Sequence, residues 1–148
     1  GSLTEHEGPY GIGGHTIEKH VGKSDSYLLR RLLTPCRKGW FRDQYYSEVS
    51  TFYNFSEATK YINSTFSDLR SNFIVDSVVL NRTDKAMIRK TFTKSVGFGF
   101  VTNTPNGAVR DRPATPRRVV MYSVGVVIKR DPNRPKGFYV LSAYPIEK

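Results

Sequence analysis

"RVVMYSVGVVIKRDPNRPKGFYVLSAYP", residues 118–145, decides the fold class. Its two halves, "RVVMYSVGVVIKR" and "GFYVLSAYP", are rich in Val, Ile, Tyr and Phe, and "DPNRPKG" between them is dense in turn residues. Two strands joined by a hairpin-like connector account for that pattern. Upstream, "MIRKTFTKSVGFGFV" (87–101) also alternates in places, and its Gly97 and Gly99 suit a bend or turn better than a nucleotide loop. "TNTPNGAVRDRPATPRR" (102–118) reads as a long, mobile, basic connection.

The N-terminal part has a different period. "HTIEKHV" carries Ile17 and Val21 at i, i+4 with Gly22 where a helix ends, which predicts a short first helix. "SDSYLLRRLL" offers Ser24 as N-cap, Leu28, Leu29, Leu32 and Leu33 on one face, and Pro35 as the stop. "TPCRKGWFRDQYYSEVS" (34–50) is turn-rich and aromatic and reads as an ordered loop. "NFSEATKYINSTFSDLRSNFIVDSVVL" (54–80), capped by Asn54 or Ser56, predicts one long helix or two short ones. Helices first and strands second predict an α+β fold, with N-terminal helices packed on a C-terminal antiparallel sheet.

The chain has 148 residues, and 13% of them are aromatic, which suits one folded domain over 3–148. Gly1-Ser2 reads as an expression scar, and the natural start is expected to lie inside something longer. No apolar run approaches the roughly 20 residues of a membrane span, so none is expected. The single cysteine, Cys36, excludes an internal disulfide and a cysteine zinc cluster, and a structural or incidental role fits it better than a nucleophilic one.

Charge is segregated. Residues 1–81 hold nine basic and nine acidic side chains, whereas 82–136 hold thirteen basic and three acidic, so the whole net charge of +10 lies in the later block. Such a field concentrates polyanions and points to nucleic acid more than to a merely solvated surface; an acidic protein partner is compatible with either.

His15 and His20 stand at i, i+5, about 140° apart on a helix, which is unsuited to a shared metal. Carboxylate clusters of the kind that hold magnesium are missing from the basic half, so no metal is expected. His20 borders the apolar stripe in the last helical turn, and His15 points nearly opposite as a bystander. From spacing alone His20 is either a general acid or base or a half-buried structural histidine. In "VLSAYP", alternation sends Ser142 and Tyr144 to one face about 7 Å apart, either as paired hydroxyls or as an ordinary polar sheet face.

Taken together, "GGHTIEKHVGK", "YLLRRL", "STFYNFSEAT" and "GFYVLSAYP" resemble the RNase A-like toxin domain at the C-terminus of bacterial contact-dependent growth inhibition effectors. The resemblance runs from about Gly13 to Pro145 and is weakest over 82–118. It implies a fold similar to pancreatic ribonuclease without its disulfides, and a catalytic set of His20, Arg31, Ser142 and Tyr144. Arg30 is the neighbouring alternative to Arg31, and Ser142 stands where the family has threonine. It further implies metal-independent RNA cleavage by attack of the 2′-hydroxyl, giving a 2′,3′-cyclic phosphate, with no cofactor. The implied setting is a larger secreted or cell-surface effector that acts in the cytoplasm of a target bacterium, with an RNA substrate, a cognate immunity protein and a monomeric state. Arg110, Arg112, Arg117 and Arg118 are the candidates for contacts to the RNA backbone. Tyr122 and Tyr139 fit a core role, with base stacking as the alternative. The competing readings are a non-catalytic RNA- or DNA-binding module and a metal-dependent DNase.

Overall fold

The computed structural model describes residues 19–40, 43–102 and 115–147. His15, Ile17, the basic connection over 103–114 and the candidates Arg110 and Arg112 lie outside the described residues. Among those described, the order is α1 (Asp25–Leu33), β1 (Glu48–Phe52), α2 (Phe55–Ser67), α3 (Leu69–Val79), β2 (Lys85–Thr91), β3 (Gly97–Val101), β4 (Arg117–Met121), β5 (Ser123–Arg130) and β6 (Phe138–Ile146). The fold is α+β, and no described helix is long and apolar enough to cross a membrane.

Local chemistry sets the helix ends. The Ser24 hydroxyl accepts from the Tyr27 N–H and the Asn54 carbonyl oxygen from the Glu57 N–H, each satisfying a first-turn donor that has no intrahelical partner. The 54–80 segment forms two helices because the Asp68 carboxylate caps the second, accepting from the Arg70 N–H, while Asp68 itself is extended.

The strands form two antiparallel sheets, β1-β3-β4 and β2-β5-β6. Two differences from the sequence reading follow. The run 118–130 is two strands: β4 pairs with β3, β5 pairs with β2, and the chain passes from one sheet to the other at Tyr122. The end of the expected aromatic loop is strand β1, held by β3 some fifty residues downstream, a partner its own residues do not reveal. The connector 131–137 joins β5 to β6 as expected, with Gly137 at φ +82°.

Each sheet has its own core. Ala58, Ile62, Phe66 and Val78 of α2 and α3 pack on Ile88, Val124, Val126, Ile128 and Val140 of the β2-β5-β6 sheet. Leu28 and Leu32 of α1 pack on Val49 and Phe100 of the other. Burying each of those two leucines is worth about 1.5–3 kcal/mol before chain entropy is counted. Strand β1 belongs to both assemblies: Val49 faces α1, whereas Phe52 reaches the larger core.

Gly97 and Gly99 lie within a strand, contrary to the expected bend. A Cβ at Gly97 would meet the Thr51 carbonyl and the Pro145 ring, so β3 can lie this close to β1 and β6 only without a side chain there. Gly97→Ala is expected to cost about 1–3 kcal/mol and to lower the melting temperature by roughly 2–4 °C per kcal/mol. Thermal unfolding followed by circular dichroism measures it, and an unchanged melting point would contradict the close approach.

Candidate functional site

Lys19 and His20 are helical, and the chain leaves them by a tight connection to the end of β1. Val21 bridges Phe52 in parallel, the Gly22 N–H donates to the Phe52 carbonyl at 3.0 Å, and the Lys23 N–H donates to the Thr51 hydroxyl at 3.0 Å. Gly22 has φ +63°, a conformation that residues with a Cβ adopt at a cost. These bonds bring half-buried His20 to the open face of the β2-β5-β6 sheet. Its ring centroid lies 5.1 Å from that of Tyr144, with the planes tilted by 43°.

Arg31 is set by its helix. Leu28 and Leu32 point into the core, so Arg31 is half-buried at the edge of that face while Arg30 is exposed. The Arg31 guanidinium carbon lies 5.1 Å from the centre of the Tyr46 ring, and Nη1 makes a long 3.5 Å contact to the Lys19 carbonyl. The planar fork is thereby held against the backbone next to His20.

A β-bulge sets Ser142 and Tyr144. Ile128 pairs with Val140 and Val127 with Ser142, so Leu141 is an extra residue on β6. Before it, Phe138 and Val140 face the core; after it, Ala143 does. Strict alternation would have put Ser142 and Tyr144 in the core with Phe138 and Val140; the extra residue turns both outward. Register places Arg89, Gly125 and Tyr144 side by side across three strands, as it does Met87, Val127 and Ser142.

His20, Arg31, Ser142 and Tyr144 all line one cleft of about 530 Å³. They come from the helical end at 19–20, α1 and β6, and β1 forms the wall between them. The same cleft is lined by four charged residues that sequence reasoning missed: Lys19, Glu48, Arg89 and Glu147. Arg89 alternates with buried Ile88 on β2, a signal present in the period-two pattern of "MIRKTF". Glu48 opens an otherwise buried strand, and no spacing rule marks it.

Two groups in the cleft have shifted protonation. Burial pushes the Glu48 carboxyl above the usual carboxylate range; the Glu147 carboxylate adds to this, while a hydrogen bond from the Glu147 backbone N–H and the Arg89 charge oppose it. Burial likewise raises the Tyr144 phenol, with the negative charge of Glu48 adding to it and Arg89 opposing it, so Tyr144 stays protonated at neutral pH and donates.

Arg117 and Arg118 lie on β4, outside the cleft lining. Arg117 Nη2 is 2.9 Å from Glu147 Oε2, which places it at the rim, and Arg118 Nε is 3.1 Å from Asp25 Oδ2 with its guanidinium over the Phe98 ring. Tyr122 is exposed, and Tyr139 is half-buried beneath Arg134, so neither has the core role expected of it.

Because the folded state binds the Glu48 proton more tightly than the unfolded chain, stability falls as pH rises from about 4.5 through the folded value, and the whole loss is present above it. Glu48→Gln keeps an acceptor for the Glu147 N–H and carries no charge. It is expected to stabilise the chain relative to the unsubstituted protein at pH 7, with the difference shrinking towards pH 4; denaturant unfolding at both pH values measures this.

The family model described as "Bacterial CdiA-CT RNAse A domain" matches residues 14–145. Among solved structures, a chain of the CdiA-CT/CdiI complex from Y. kristensenii is similar with a TM-score of 0.65 and 19% sequence identity, over 90% of this chain and 99% of that one. No curated protein matches.

Proposed function

The chain belongs to the bacterial CdiA-CT RNase A domain family, and on that premise we propose that it cleaves RNA by metal-independent transphosphorylation. The observation that carries the reading is the convergence of His20, Arg31, Ser142 and Tyr144 on one cleft from separate parts of the chain. RNA supplies its own nucleophile. The 2′-oxygen bonds to phosphorus, the bond from phosphorus to the 5′-oxygen breaks, and the products are a 2′,3′-cyclic phosphate and a 5′-hydroxyl. The protein has only to move two protons and stabilise charge on the phosphoryl oxygens.

His20 handles one of the protons, a contribution on the order of 10²- to 10⁴-fold. The Arg31 fork binds the non-bridging oxygens as their charge grows. Tyr144, protonated at neutral pH, and Ser142 donate to the same oxygens. The basic block over 82–136, with Arg110, Arg112, Arg117 and Arg118, supplies affinity for the RNA backbone.

The solved relative is a complex with CdiI. By analogy this chain is an effector domain delivered to a target cell, where it acts in the cytoplasm and is neutralised in the producer by a cognate immunity protein. A net charge of +10 favours an acidic inhibitor.

Labelled RNA incubated with the chain in EDTA is expected to yield cyclic-phosphate ends. His20→Ala is expected to abolish this while leaving the circular dichroism spectrum unchanged. RNA binding without cleavage by the unsubstituted chain would favour a non-catalytic binding module, and loss of activity in EDTA a metal-dependent nuclease.

A further inference from the structure

Transphosphorylation needs a base for the 2′-hydroxyl and an acid for the departing 5′-oxygen. Among the described residues the cleft holds one histidine, and Tyr144 is a donor at neutral pH. Lys19, Arg31 and Arg89 are basic side chains suited to holding phosphate. Two carboxylates line the cleft as well: Glu147 is ion-paired with Arg117 at the rim, and Glu48 is half-buried among the basic side chains. We propose that Glu48 is the base that takes the proton from the attacking 2′-hydroxyl, which assigns His20 to protonation of the departing 5′-oxygen. The proposal rests on the ribonuclease reading above.

The placement of Glu48 follows from the seam between the sheets. The Ser50 hydroxyl donates to the Pro145 carbonyl, and two residues earlier the Glu48 carboxylate accepts from the Glu147 backbone N–H. Residues 48 and 50 lie on one face of β1, so this face runs alongside the end of β6 that carries Tyr144. One Glu48 oxygen is tied to the backbone, and the carboxylate has a second to present to the cleft.

Charged and titratable groups face it from several elements. It is faced by Tyr144 of β6 and by Glu147 just beyond that strand, and Arg117 of β4 is ion-paired with the latter. From β2 it is faced by Arg89, and across the cleft stand Lys19, His20 and Arg31. β3 carries no titratable residue over Gly97–Val101, and α2 meets β1 at its far end, around Phe52. Burial makes the carboxylate more basic than in water, and the Arg89 charge opposes part of that rise.

In the step itself the 2′-oxygen gives its proton to the Glu48 carboxylate as its bond to phosphorus forms. The 5′-oxygen takes a proton from the His20 imidazolium as its own bond to phosphorus breaks. The carboxylic acid and neutral imidazole left behind return to their starting forms by exchange with water.

The test uses the full chain in EDTA with two dinucleotides, one with the natural 5′-oxygen and one with sulfur there, since a thiolate leaves without a proton. Glu48→Gln is expected to lower kcat/KM on both by about 10²- to 10⁴-fold and to erase the acid limb of the pH profile. Glu48→Asp is expected to keep that limb at a reduced rate. His20→Ala is expected to fail on the oxygen substrate and regain activity on the sulfur one. Glu48→Gln activity within a few-fold of the unsubstituted chain, an acid limb that survives in it, or sulfur rescue of Glu48→Gln in place of His20→Ala would each overturn the proposal. An unsubstituted chain that leaves the oxygen substrate intact overturns the ribonuclease reading instead, and this proposal with it.

Discussion

The seam where β1 lies against the end of β6 is the constraint on which the rest of the structure depends. The two sheets share no strand, and each has its own core. The Ser50 hydroxyl bonded to the Pro145 carbonyl joins them, and the missing side chain at Gly97 lets β3 come close enough for the join to form. The Gly22 N–H on the Phe52 carbonyl then fastens the connection after His20 to the same strand. An isolated sheet of either kind would have no cleft. The cleft exists because β1 stands as a wall over the open face of β2-β5-β6.

The electrostatics of that cleft follow from the same placement. Lys19, Arg31 and Arg89 converge on a space suited to a phosphodiester, and Glu48 is half-buried among them. A carboxylate in such a position costs stability at neutral pH because burial disfavours its charged form more than its neighbours offset. A chain selected for stability alone would have a neutral side chain there. The cost is understandable where a carboxylate has to take up a proton, and local strain or desolvation at working sites is a common trade.

Much of this was legible in the chain itself. Helix caps are local: Ser24 and Asn54 each reach a backbone N–H three residues on, and both act as expected. The spacing of Leu28 and Leu32 marks the buried face of α1, and that face selects Arg31 over exposed Arg30 for the cleft. The α+β order, the connector at 131–137 and the family itself were readable from pattern and motif. Glu48 was not, because a single acidic residue at the head of a strand has the same local pattern whether solvent or another sheet covers it.

The sequence by itself determined what short-range physics controls: the helix caps, the buried face of α1, the connector at 131–137 and the charge block. Tertiary structure alone decided three things. The alternating run at 118–130 became two strands in different sheets, since a period of two is the same for one strand as for two in series. Leu141 became a bulge, which turned Ser142 and Tyr144 away from the core; an extra residue is defined only against the strand opposite. Glu48 became a half-buried carboxylate beside Arg89 and Tyr144, because burial depends on what packs across a gap and not on neighbours in sequence.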